Sequence, residues 1–290
     1  MIGSVVVRPW QYHSLVSSRR VVVTPIHRLA HGASETDVDL VAAEAPLTIQ
    51  LHTSVTTTPR SLGVMMRTPG DDRDLVLGLL CTEGLIRTRE DVVGIALTTD
   101  EDAGDVADVQ LSDAIDLEGA IRGRAMLATS ACGLCGRLAI ERVDALARRA
   151  PSAPSVRWPA ELIVELPARL RASQAVFAET GGLHAAGLFD EDGTIIAVRE
   201  DIGRHNAVDK LVGAALDAAL LPAVRALLVV SGRVAYEIVQ KAAMAGVPGI
   251  VAVGAPSSLA VEAAQSTGLT LIGFARDGRF NVYTGSERLA

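Results

Sequence analysis

Apolar and polar positions along the chain repeat with two different periods, and the change of period marks out the elements. Short runs at residues 20–25, 46–52 and 62–67 read as strands, rich in Val, Ile, Leu and Met and bounded by turn residues. Asp71 and Asp72 then cap a helix whose apolar face carries Leu75, Leu79 and Leu80. Cys81 lies on this helix among leucines and reads as a small core residue. Residues 92–97 and 106–111 give two more strands around an acidic, glycine-bearing loop. A short apolar run at 125–129 follows, and Leu138, Val143 and Leu146 resume helical spacing.

The second half alternates strands and helices. Strands at 183–189 and 194–199 flank the hairpin turn Asp190-Glu191-Asp192-Gly193. The spacing then predicts helix 204–220, strand 226–230, helix 235–245, strand 249–253, helix 257–267 and strand 269–275. Such alternation implies a layered α/β domain whose sheet is largely parallel after the opening hairpin. Between the halves, Ala150-Pro151-Ser152-Ala153-Pro154-Ser155 has linker content, and a helix starting at Pro159 or Pro167 bridges them. The expected organisation is a flexible tail over 1–19, a smaller strand-rich α+β domain over 20–150, and an α/β domain over 151–290.

Composition narrows the function. With 290 residues and 49% hydrophobic content the chain can bury a large core. No apolar run reaches the length of a membrane span, and the first 20 residues lack a signal-peptide core, so a cytoplasmic protein without membrane contact is expected. A net charge of −7 and 3% aromatic residues argue against nucleic-acid binding. The charge is uneven: residues 71–118 hold 14 acids against 3 arginines, while 120–171 hold 9 arginines against 4 acids. Only two lysines stand among the 27 basic residues, Lys210 and Lys241, so a position that keeps the compact ammonium has a reason to need it.

The positive segment contains Cys132-Gly133-Leu134-Cys135-Gly136, two of the three cysteines, at a strand-to-helix turn. A helix N-terminus and Arg137 favour thiolate there, and the glycines free the backbone for movement and close approach. Four chemistries compete. Two cysteines supply half a structural zinc site, and no H-x₃₋₅-H spacing supplies the rest. A dithiol redox pair would normally stand near the start of its domain behind a tryptophan, whereas Ser130-Ala131 precede this one. A tight turn that happens to use cysteine is the plainest reading. A sulfur carrier, with persulfide on one cysteine and release or protection by the other, needs a mobile, accessible thiolate, and the pattern predicts one.

Three turns at the expected carboxyl edge of the second-half strands join glycine to arginine. They are Gly203-Arg204-His205-Asn206, Ser231-Gly232-Arg233, and Phe274-Ala275-Arg276-Asp277-Gly278-Arg279. Glycine admits a ligand to the backbone, arginine offers forked donors to phosphate, and an acid accepts from the N1–H and N2–H₂ edge of guanine. Together they point to a phosphate-bearing ligand, although none is a Walker loop or a G-x-G-x-x-G fingerprint. Plainer roles stay open: His205 capping its helix, Asp209 and Lys210 as a surface pair, His184 as a satisfied core histidine, and Tyr236 in packing.

Cys-Gly-Leu-Cys-Gly, Thr-Gly-Gly-Leu-His-Ala-Ala, the block 201–210 (Asp-Ile-Gly-Arg-His-Asn-Ala-Val-Asp-Lys), Ser-Gly-Arg, and the closing Leu-Thr-Leu-Ile-Gly-Phe-Ala-Arg with Phe280-Asn281-Val282-Tyr283 occur in this order. In that set the chain resembles the FdhD/NarQ family of formate dehydrogenase accessory sulfurtransferases from about residue 28 to residue 284. The resemblance implies a cytoplasmic homodimer whose larger part has a cytidine-deaminase-like three-layer α/β fold without the deaminase zinc. It implies transfer of sulfane sulfur from a cysteine desulfurase to a molybdenum cofactor, Mo-bis(molybdopterin guanine dinucleotide), for apo formate dehydrogenase, with guanosine diphosphate as a mimic of the ligand. By position, Cys132 matches the persulfide cysteine, Cys135 the assisting one, and 274–279 the cofactor-binding segment; Lys210 falls in the family block with Gly203 to Asn206. No metal site is expected. A deaminase-like zinc hydrolase would need an H-x-E with P-C-x-x-C set that the sequence lacks. The alternatives are a non-catalytic cofactor chaperone and a dithiol oxidoreductase.

Overall fold

The computed structural model describes residues 20–30, 33–56, 58–100, 104–119 and 156–290. Strands β1 (Val21–Ala30) and β2 (Ala33–Ala42) form an antiparallel two-stranded ribbon. Strands β3 (Ala45–His52), β4 (Arg60–Arg67), β5 (Val92–Asp100) and β6 (Gly104–Leu111) form a second sheet in the order β4-β3-β6-β5, with helix α1 (Asp72–Thr82) between β4 and β5 in sequence. The second half contributes α2 (Ala160–Ala172), α3 (Ala175–Thr180), β7 (His184–Phe189), β8 (Ile195–Asp201), α4 (Arg204–Asp217), β9 (Leu227–Val230), α5 (Tyr236–Met244), β10 (Gly249–Ala252), α6 (Ser258–Thr267), β11 (Thr270–Arg276) and β12 (Arg279–Thr284).

Those six strands make one sheet in the order β12-β11-β10-β9-β7-β8. β9, β10 and β11 are parallel, and the flanking pairs are antiparallel. Leu-Leu-Val-Val in β9 and Gly-Ile-Val-Ala in β10 are buried at every position, as strands covered on both faces require. One face packs on α4, α5 and α6 through Leu228, Val230, Ile250, Ala252 and Leu271. The other face packs on α2 and the fully buried Trp158 through Leu227, Val229, Val251 and Ile272. This is the layered α/β arrangement that the alternation of elements predicts, with the three layers that the family resemblance implies.

Helix α1 is buried at every position from Leu75 to Thr82, because it lies between the four-stranded sheet and α4. Its contact with α4 is a glycine crossing. A Cβ at Gly78 would stand 1.7 Å from the Asp209 carbonyl oxygen, and one at Gly213 would stand 1.9 Å from that of Asp74. One apolar cluster therefore runs from Leu47 and Ile49 through Leu77 and Leu80 to Val208, Leu211 and Leu228. The division expected at residue 150 falls outside the described residues.

Several boundaries differ from expectation, each for a physical reason. The strand expected at 194–199 continues through Glu200 and Asp201, whose buried side chains both find backbone N–H donors. The bridging helix begins after Pro159, and Pro167 lies inside it. Helix 204–220 ends at Asp217, and Ser257 accepts from Ala260 N at 3.2 Å as the cap of α6. Strands β2 and β12 and helix α3 carry too many polar residues, or are too short, to show a period. No helix among the described residues is long and apolar enough to cross a membrane.

Candidate functional site

A cavity of about 660 Å³ opens beyond the carboxyl ends of β9, β10 and β11, walled on its far side by α2 and α3. That is where ligands gather in open α/β sheets. Of the residues singled out from sequence, Ser231, Ala275, Arg276 and Asp277 line it. Phe274, Gly278 and Arg279 belong to the same β11–β12 hairpin, whose turn is Asp277-Gly278 between the paired Arg276 and Arg279. Both turn residues have positive φ, 54° and 74°, as a two-residue hairpin turn of this hand requires. Phe274 also has a positive φ, 53°, at the bulge before the hairpin tip. A non-glycine residue held there stores about 1–3 kcal/mol, which the surroundings must offset, and such outliers cluster at ligand sites.

Backbone bonds lock together the turns that follow β9, β10 and the body of β11. Gly254 N donates to Gly232 O at 3.1 Å, and Phe274 N donates to Gly254 O at 3.1 Å. A Cβ at Gly254 would meet Arg233 N and Gly232 O at 2.8 Å, so only glycine allows this approach. Arg276 lies 5.8 Å from the Phe274 ring centroid, and across the cavity Arg171 lies 4.1 Å from that of Phe177. Arg171, Phe177 and Arg276 thus line the same space, and Phe274 stands behind Arg276.

Gly203, Arg204, His205, Gly232 and Arg233 do not line the cavity; Arg204, His205, Gly232 and Arg233 gather around His184, which does. A Cβ on Gly232 would come within 3.2 Å of His184 Nδ1. Burial first, then the charges of Arg204 and Arg233, hold the His184 imidazole below its ordinary pKa. His205 is lowered in the same way, by burial and then by Arg204. Its Nε2 stands 3.9 Å from Glu237 without a hydrogen bond, and Arg204 Nε is likewise buried without one. At neutral pH both imidazoles are uncharged, leaving the two guanidiniums as the local positive charge.

Lys210 and Asn206 require a correction: they lie beneath the site rather than on it. Lys210 Nζ is fully buried, 2.8 Å from Asp201 Oδ2, and donates to Thr68 O at 2.8 Å. The Asp201 carboxylate also accepts from Thr68 N at 3.1 Å, Gly203 N at 2.8 Å and Asn206 Nδ2 at 3.0 Å. This node ties the 68–72 loop to the start of α4 and so positions Arg204 and His205. Lys241, the other lysine, is buried against Asp209, which Thr82 also contacts at 2.7 Å. Burial raises the Asp209 carboxyl above its ordinary range, opposed by Lys241 and Thr82. Both lysines stand on helices of the α/β part, and each ammonium also donates across to the α1 side, Lys210 to Thr68 O at 2.8 Å and Lys241 to Thr82 Oγ1 at 3.0 Å, in spaces where a guanidinium would demand more room and more acceptors.

Sequence reasoning missed Thr68, which reads only as part of a helix start, and the wall formed by Arg171, Gln174 and Phe177. Cys81 is buried, and its thiol is pushed up to about 11 by desolvation, so it has no thiolate to offer at neutral pH. Cys132 and Cys135 lie outside the described residues. No group of three or more His, Cys, Asp or Glu among the described residues is placed to hold a metal ion.

The chain is similar over most of its length to known proteins. The sulfur carrier protein FdhD of Streptomyces coelicolor is 46% identical over 281 residues, covering 95% of this chain and 96% of that protein. The protein of the same name from Nocardia farcinica is 48% identical over 279 residues, covering 94% and 95%. The crystal structure of a putative formate dehydrogenase accessory protein from Desulfotalea psychrophila superposes with a TM-score of 0.71 at 25% identity, covering 94% of this chain and all of that one. The FdhD/NarQ family model matches residues 42–290, and the chain belongs to that family.

Proposed function

We propose that this protein is a sulfur carrier and sulfurtransferase in formate dehydrogenase maturation. The observation that carries the reading is that the family match over residues 42–290 includes Cys132-Gly-Leu-Cys135. Relatives that align over nearly the whole chain are named sulfur carrier proteins.

The Cys132 thiolate attacks the terminal sulfur of a cysteine desulfurase persulfide. The desulfurase leaves as thiolate, and Cys132 becomes a persulfide. The Cys135 thiolate then attacks Cys132 Sγ, forming the Cys132–Cys135 disulfide and expelling hydrosulfide toward the bound molybdenum cofactor. The two electrons that reduce sulfane sulfur to sulfide come from the two cysteines, and a cellular dithiol reductant restores them.

The substrate, Mo-bis(molybdopterin guanine dinucleotide), is held by its nucleotide end in the cavity at the strand edge. Its volume of about 660 Å³ lies in the range of small-molecule sites. Arg276 and Arg171 supply donors for phosphate, and Asp277 supplies an acceptor for the guanine edge. The working form is a cytoplasmic homodimer that meets the desulfurase and apo formate dehydrogenase. The β1–β2 ribbon leaves Val22, Val23, Leu29, Val38 and Val41 exposed, a surface of the kind that partner chains cover.

The test is formate dehydrogenase activity in cells that depend on this chain. Cys132→Ala is expected to abolish it while the protein accumulates normally and still binds guanosine diphosphate. Full activity with Cys132→Ala would replace the carrier by a chaperone that only hands the cofactor over.

A further inference from the structure

Gln174 is 3% exposed, and its carboxamide Nε2 is buried without a hydrogen-bond partner. It stands at the corner between α2 and α3, on the wall of the cavity. Buried amide donors are nearly always paired, so an orphan on a cavity wall points to a partner that arrives with a ligand.

The local fold explains why this side chain is free. Gln174 is the N-cap residue of α3, yet makes no side-chain cap bond. The amides of Val176 and Phe177 donate instead to the Glu200 carboxylate, at 3.0 and 2.9 Å. Glu200, reaching over from β8, satisfies the helix start and leaves the carboxamide with no structural task.

The surroundings describe the missing ligand. Arg171 over Phe177 gives a flat cationic and aromatic face next to Gln174, on which a base can stack. Asp277 brings a carboxylate to the same cavity, and Arg276 brings a phosphate donor. One acceptor, one orphan donor and a stacking face match a purine that offers both a donor and an acceptor edge.

We infer that Gln174 selects a 6-oxo purine, the guanine of a guanine nucleotide, by donating its Nε2 N–H to O6. The inference rests on the proposed reading of the cavity as a nucleotide site. Guanine O6 is an acceptor, whereas adenine carries an amino donor there, so the same amide meets a donor. Asp277 adds to the choice, since guanine N1 bears a proton and adenine N1 does not.

Calorimetric titration of the full chain with guanosine diphosphate and adenosine diphosphate tests this, using wild type, Gln174→Met and Gln174→Glu. Wild type is expected to prefer the guanine nucleotide. Gln174→Met should lose about tenfold in guanosine diphosphate affinity, close to what one hydrogen bond to a ligand is worth. It should narrow the guanine-to-adenine ratio and keep or raise the melting temperature, because the unpaired amide is gone. Gln174→Glu, nearly isosteric, replaces the donor by an acceptor and should lose at least as much, which keeps the test decisive should the Met variant fold poorly. Variants that bind both nucleotides as wild type does would overturn the role of Gln174 and leave the cavity reading standing. Wild type that fails to bind guanosine diphosphate at all would overturn both.

Discussion

Lys210 shows how far a single residue can be read from sequence. Its rarity as one of two lysines signals that something depends on it, but a sequence does not say whether an ammonium faces a ligand or a buried carboxylate. The structure answers with Asp201, at 2.8 Å and with no solvent access on either side. Removing one partner of such a pair leaves a charge buried and unpaired, which costs about 3–5 kcal/mol. Lys210→Met should therefore lower the stability read from urea unfolding by that amount, and an unchanged midpoint would show that the node does not hold the two parts together. Gln174 and Thr68 were illegible for the opposite reason: a Gln before a short helix and a Thr before Pro carry no pattern until the neighbouring strands are in place. Cys132 and Cys135 stand out in the sequence as a paired-cysteine motif with glycines, and they lie outside the described residues.

At the scale of elements, the longer helices and the buried parallel strands could be read because their period or their apolar run is long enough. The ribbon strand β2, Ala-Ser-Glu-Thr-Asp-Val-Asp-Leu-Val-Ala, could not, since most of it is exposed and its pairing comes from β1 alone. The meeting of α1 and α4 was equally hidden. Gly78 and Gly213 look like weak points in helical sequences, each costing about 1 kcal/mol against Ala in an isolated helix. In the fold that preference reverses, because each glycine faces the other helix's backbone at a distance no Cβ could occupy. Gly213→Ala should destabilise by about 3 kcal/mol, at the upper end of overpacking effects, since backbone cannot turn aside as a side chain can. A loss below about 0.5 kcal/mol, ordinary for a surface change, would mean the helices are not in register as described.

The whole molecule ties a strand-rich part to a three-layer α/β part through one core, and it does so where function needs rigidity. Two buried lysine pairs and the glycine crossing fix α4, whose first residues carry Arg204 and His205 beside the cavity. The interlocked turns at residues 232, 254 and 274 fix the strand edge of the cavity, which carries the left-handed Phe274 and Asp277. The sequence motifs of the site lie on these two rims, which explains why a family pattern spread over residues 201–283 folds into one place. A stiff edge is what the nucleotide-bearing cargo proposed for this cavity requires.

Mass spectrometry of the intact chain after incubation with a cysteine desulfurase and cysteine tests the sulfur-carrier claim most directly. The account predicts the mass of one added sulfur atom, mapped to the peptide bearing Cys132, lost on treatment with dithiol and absent from Cys132→Ala. Unmodified Cys132 after a desulfurase has turned over, or an added sulfur that persists in Cys132→Ala, would contradict it.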